Sequence, residues 1–114
     1  MKRIYNKLVR DRIPEIMQME GFSSIECKTM DKSEFAKALA LKVVEESKEI
    51  AEEARNGNRN GVLNEIVDVL EVIESLKNLF MISDEEIEKA SEDKLVKKGG
   101  FVKQIWLESA NDGR

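Results

Sequence analysis

Histidine is absent from the 114 residues. Imidazole is therefore excluded as a general base, as the partner of a nucleophile and as a metal ligand. The single cysteine, Cys27, cannot close an intrachain disulfide and is too little for a zinc site; it is expected to be a small buried hydrophobe. Aromatic residues make up 5% of the chain, so Leu, Ile, Val and Ala must fill the core. One proline and six glycines, among 41% apolar and 37% charged residues, are not the composition of a disordered or low-complexity chain. No apolar run approaches the roughly 18 residues that span a membrane. Asn6, Lys7, Arg10, Asp11 and Arg12 interrupt any signal-peptide core near the start. A reduced, cytoplasmic setting is the expectation. No excess of positive charge exists either: 19 basic against 23 acidic residues give −4, which argues against a dedicated nucleic-acid binder.

What is abundant is Glu, Lys, Ala and Leu, the residues of helices. The length suits one domain over residues 1–114. A short helix is expected from near Val9 to Gly21, with Pro14 tolerated early in it. Phe22 to Met30 reads as extended. Asp31 to Glu34 has the form of a capping box, opening a helix that should reach about Asn56 and stop at Gly57. Asn58 to Gly61 reads as a turn, and a second long helix follows from about Val62 to Met81. Ser83 to Glu86 is another capping box, for a helix ending before Gly99 and Gly100. Phe101 to Leu107 alternates enough for a short strand or an extended arm. The expected fold is all-α: an antiparallel helical hairpin within a helical bundle, with short extended segments near residues 23–30 and 101–107.

At 100° per residue, Phe35, Leu39, Val43, Ile50 and Ala54 share one face of the first long helix, and Glu46 falls inside that arc. On the second, Val62, Ile66, Val69, Leu70, Ile73, Leu76 and Phe80 cover most of the circumference. Glu65 lies within that arc, beside Val69 and Val72. A helix so widely apolar must be enclosed by other helices or by a second copy of the chain. Glu46 and Glu49 are three apart and neighbours on one face; Glu65 and Asp68 repeat the spacing on the partner helix. A hairpin can bring the pairs opposite each other. Four converging carboxylates need protons or cations to compensate them. Oxygen-only ligation selects a hard ion, Mg²⁺ or Mn²⁺, and Mg²⁺ commonly bridges carboxylates to substrate phosphates. The same glutamates also suit a solvated helix face, with Lys42, Lys48 and Arg55 supplying ion pairs. The register is open too, because Glu53 shares the Glu46 face and Asp68 with Glu71 repeats the spacing.

Glu45-Glu46-Ser47-Lys48-Glu49, a gap of 15 residues, then Glu65-Ile66-Val67-Asp68 resembles the Glu-Glu-x-x-Glu…Glu-x-x-Asp pattern of the MazG-like, all-α nucleoside triphosphate pyrophosphohydrolases. The opening Tyr5-Asn6-Lys7-Leu8-Val9-Arg10-Asp11-Arg12-Ile13-Pro14-Glu15 is similar to the start of a small subgroup described as phosphoribosyl-ATP pyrophosphohydrolase-like or house-cleaning enzymes. Lys94 to Phe101, ending Lys98-Gly99-Gly100-Phe101, is similar to that subgroup's C-terminal signature. The resemblance implies a Mg²⁺ site (Mn²⁺ as substitute) formed by Glu46, Glu49, Glu65 and Asp68. Glu45 would be an outer group or orient water, so Glu45, Glu46 and Glu49 are the candidate catalytic residues. It also implies a homodimer or a dimer of dimers.

The implied reaction is hydrolysis of a nucleoside triphosphate between the α and β phosphates, to a monophosphate and pyrophosphate. A cation would neutralise phosphate charge and acidify the attacking water, and a carboxylate would take up the proton. Lys94, Lys97 and Lys98 lie in a stretch, 94–103, without an acid, and Lys7 and Arg10 belong to a second basic cluster. These are the candidate substrate-binding residues. Relatives commonly carry both Lys and Arg in the last helix, whereas here the three are lysines, without the bidentate fork of arginine. Lysines at a helix end also suit the macrodipole, and Arg10 beside Asp11 suits a surface ion pair. Tyr5 and Trp106 could stack on a base or simply pack. Two other functions fit the chain: phosphoribosyl-ATP pyrophosphohydrolase, the same chemistry on another substrate, and a non-catalytic helical oligomerisation module.

Overall fold

The computed structural model describes residues 1–113. Asp31 starts its longest helix, α2 (Lys32–Arg55). The Asp31 carboxylate accepts from the Glu34 amide at 2.8 Å, and the Asp31 amide donates back to the Glu34 side chain at 3.4 Å. This reciprocal pair satisfies two amides that a helix start leaves orphaned. At the far end Gly57 takes φ 67°, a left-handed conformation that costs glycine nothing. Its amide donates to Ala54 O at 3.1 Å and the Asn58 amide to Glu53 O at 3.0 Å, the two bonds of a Schellman stop.

Asn58 then caps the next helix, its side-chain oxygen accepting from the Gly61 amide at 3.1 Å. Helix α3 therefore runs Arg59–Leu79, and the expected turn at 58–61 shrinks because Asn58 is a cap rather than the first of several turn residues. The connection is so short that α3 must return antiparallel to α2, and the two helices pack together. Ahead of the hairpin, α1 spans Ile13–Met19. It begins later than the sequence suggested because Pro14 occupies its first positions, where a missing amide is harmless. Residues 22–30 have no regular structure, and Cys27 within them is exposed, not the buried hydrophobe expected. The physical reason is its position: it precedes α2 and lies outside the hairpin seam.

The chain divides into two compact units, the first Met1–Met81 and the second from Ile82 onward. The second contains α4 (Asp84–Lys98), opened by another capping box. The Glu86 amide donates to Ser83 Oγ at 3.1 Å, and the Ser83 amide to Glu86 Oε2 at 2.9 Å. Gly99 ends it. Residues 101–107 form no strand; the Gln104 amide closes a turn on Phe101 O at 3.2 Å. No helix among the described residues is long and apolar enough to cross a membrane. Among the described residues the fold is all-α, with no sheet.

The seam of the hairpin is narrow. Leu39 (2% exposed) and Val72 are its buried apolar residues, with Glu46 buried among them. Phe35, Val43 and Ile50 from α2 and Val62, Val69 and Leu76 from α3 are half-buried around them. Ala54, expected on this face, is exposed, and Glu53 takes its place by folding over Gly61, where an added Cβ would overlap its carboxylate. The opposite side of α3 exposes Leu63, Ile66, Val67, Leu70, Ile73 and Phe80.

With so few dry contacts, each matters. Leu39→Ala is expected to destabilise the hairpin by about 2–5 kcal/mol, as large-to-small changes at well-packed positions do. Asp31→Ala, which removes only a cap, should cost about 1 kcal/mol. Urea unfolding followed by circular dichroism separates the two; equal losses would contradict this description of the core.

Candidate metal centre

The buried glutamate comes from α2 and its counterpart from α3. Glu46 sits in the apolar arc between Val43 and Ile50, with only 6% of its surface exposed. Glu49 follows one turn on, and Glu65 faces them from α3 beside Val69. One carboxylate oxygen from each of Glu46, Glu49 and Glu65 lies within 4.8 Å of the other two. Ligand oxygens around Mg²⁺ stand about 2.1 Å from the ion, so opposite ones are about 4.2 Å apart. Small side-chain adjustments bring the three into that range.

The centre is electrostatically unfinished. Glu46 Oε2 and Glu65 Oε2 are buried and have no hydrogen-bond donor in the protein. Two carboxylates facing each other out of water are compatible only with a shared proton or a cation. Without a cation the conflict is expressed on Glu65. Its pKa is raised to about 7 by hydrogen bonding to the carboxylates of Glu46 and then Glu49, with burial and their charges adding to it. Burial pushes Glu46 upward, but hydrogen bonding with Glu65 and Glu49 and the nearby Lys42 outweighs it, so Glu46 stays below the usual carboxylate range. The pair titrates as a unit. Lys42 Nζ stands 3.5 Å from both Glu46 Oε1 and Glu45 Oε2, which leaves Glu46 Oε2 free.

The remaining site candidates are distributed as follows. Glu45 points away from the seam, about half exposed, toward Lys42. Asp68 lies one turn beyond Glu65 but is engaged elsewhere: it accepts a 2.8 Å hydrogen bond from Arg10 Nη2. This contact spans 58 residues and replaces the local Arg10–Asp11 pair considered from the sequence. Lys7 is exposed in the first unit. Lys94, Lys97 and Lys98 are exposed on α4, in the second unit. Lys42 was visible in the sequence as a helical ion-pairing residue. The Arg10–Asp68 contact had no local signal. Tyr5 is covered by the Arg3 guanidinium, 5.2 Å from its ring centroid, and Trp106 is exposed.

An all-α hairpin carrying an oxygen-only acidic centre is the class of protein that these features define. No family model, curated protein or solved structure matches the chain.

The shared proton has a measurable consequence. Glu65 has a folded-state pKa above its unfolded value, so its contribution is complete below about 4.5 and is lost as pH rises through about 7. The lowered pKa of Glu46 acts in the opposite sense, at more acidic pH. Histidine, the side chain whose ordinary pKa lies in this window, is absent from the chain. The metal-free protein should therefore unfold at lower urea concentration at about pH 8 than at about pH 5.5. Glu65→Gln should flatten that dependence. A midpoint that is constant or rises with pH would contradict the shared proton.

Proposed function

We propose that this chain is a Mg²⁺-dependent nucleoside triphosphate pyrophosphohydrolase of the MazG-like type, releasing a nucleoside monophosphate and pyrophosphate. The observation that carries the reading is the buried Glu46 Oε2, without a donor, opposite Glu65 Oε2 and near Glu49. Glu46, Glu49 and Glu65 would hold the cation, and Mn²⁺ would substitute for Mg²⁺. When bound, the cation supplies neutralisation of phosphate charge and a more acidic water. The protein's own part is to hold three oxygens in place along two rigid helices and to exclude water from one side through Leu39 and Val72. An oxygen of Glu46 or Glu49 that does not face the cation would take the proton of the attacking water. No side-chain nucleophile is required, which suits a chain without histidine and with one exposed cysteine.

The test is pyrophosphate release from a panel of canonical and modified nucleoside triphosphates, and from phosphoribosyl-ATP, with Mg²⁺ present. At least one substrate should be hydrolysed. Glu46→Gln should lose activity by about a hundredfold or more, since groups merely supporting metal ligands already cost 10–100-fold. At about pH 8, where Glu65 is ionised as well, the variant's metal-free melting temperature should not fall, because the change removes the repulsion between the two carboxylates. A panel without turnover favours the oligomerisation module instead.

The exposed apolar side of α3 supports an assembled state. Leu63, Ile66, Val67 and Leu70 are each more than two-fifths exposed, and burying the remaining half of such side chains contributes roughly 1 kcal/mol apiece. A second copy presenting the same face would form an isologous interface, as in a homodimer or a dimer of dimers. Light scattering at micromolar concentration should give twice or four times the 13.0 kDa chain mass. Leu70→Glu should lower it. A stable 13.0 kDa species for the unmodified chain would remove the assembly.

A further inference from the structure

Three acidic groups in and beside the centre have a basic partner within the chain itself. Lys42 stands against Glu45 and Glu46, and Arg10 covers Asp68. Asp68 differs from the other carboxylates in what its partner is attached to. Arg10 belongs to the segment before α1, and its carbonyl accepts the Ile13 amide at 3.0 Å in the turn that leads into that helix. The ion pair thus fastens the N-terminal segment to α3. One guanidinium nitrogen, Nη2, makes the bond to Oδ1 at 2.8 Å, and the fork is not used bidentately. Arg10 and Asp68 side chains are 55% and 32% exposed, so the pair is water-screened and weak enough to exchange.

Asp68 lies three residues beyond Glu65, hence on the same face of α3 and within one helical turn of the residue that contributes the α3 oxygen of the centre. A carboxylate there has two possible cationic partners, and it satisfies one at a time in full. We propose that Arg10 is a latch that competes with a divalent cation for Asp68. In the empty centre Arg10 holds Asp68 and ties down the start of α1. In the loaded centre Asp68 turns toward Glu46, Glu49 and Glu65, and the Arg10 guanidinium is freed beside them to grip a phosphate oxygen. Arginine suits this second task because its planar fork matches phosphate. The latch rests on the metal centre proposed above and makes phosphate capture conditional on loading.

The test measures Mn²⁺ binding to the full chain by the paramagnetic resonance of free Mn²⁺, without substrate. Arg10→Ala and Arg10→Gln should bind Mn²⁺ about threefold or more tightly than wild type, the scale of a coupling between contacting groups. Arg12→Ala, which removes the same charge two residues away, should bind like wild type. Asp68→Asn should bind more weakly, and adding Arg10→Ala to Asp68→Asn should change nothing further. In hydrogen exchange, Mn²⁺ should reduce amide protection at the start of α1 in wild type but not in Asp68→Asn. The latch is overturned if Arg10→Ala leaves affinity unchanged or weakens it. It is equally overturned if the gain persists in Asp68→Asn, since that is through-space charge and not competition. Wild-type binding that Glu46→Gln abolishes, with no Arg10 effect, removes the latch and leaves the centre standing. A wild type that binds no Mn²⁺ at millimolar concentration removes both.

Discussion

Two carboxylate oxygens, Glu46 Oε2 and Glu65 Oε2, are buried in one apolar seam with no donor between them. The rest of the hairpin is organised around that conflict. A protein interior tolerates a buried charge when it is paired, and here the nearest fixed cation, Lys42, reaches Oε1 of Glu46 and Glu45 but not the shared space. The space is therefore reserved for something mobile. The neighbouring carboxylates of Glu46 and Glu49 push Glu65 up to about 7, and the three oxygens are close enough together that they could hold a metal ion.

The helices around the conflict are fixed by strong local signals. Asp31 and Glu34 start α2, the Gly57 turn stops it, and Asn58 starts α3 after a minimal connection. Such a short, stapled turn sets the register of one helix against the other. Glu46 and Glu65 stand opposite each other because of that register, with Leu39 and Val72 buried in the same seam. Placement of the carboxylates on helices, not loops, keeps the three oxygens close despite their repulsion.

Much of this was legible in the sequence, and the parts that were not share a cause. Both capping boxes could be read because their partners are three residues apart. The inward placement of Glu46 and Glu65 followed from helical periodicity, since each interrupts an apolar arc. Asn58 was read as a turn residue because the chemistry that favours asparagine in turns also favours it as a cap. The Arg10–Asp68 contact joins residues 58 apart across an irregular segment, and no periodicity reports such a pair. Cys27 was misjudged for a related reason: its residue type favours burial, but its segment packs into no helix face. Periodicity also marked the broad apolar surface of α3 without saying which side the hairpin would leave uncovered.

The central claim is that Glu46, Glu49 and Glu65 hold a divalent cation. Anomalous scattering at the manganese edge, from crystals grown with Mn²⁺, addresses it without reference to any substrate. The account predicts a peak about 2.1–2.2 Å from one oxygen of each of the three glutamates, a hard-cation distance. A map with no peak there, and a Glu65 carboxyl still bonded to Glu46 at saturating Mn²⁺, would contradict it.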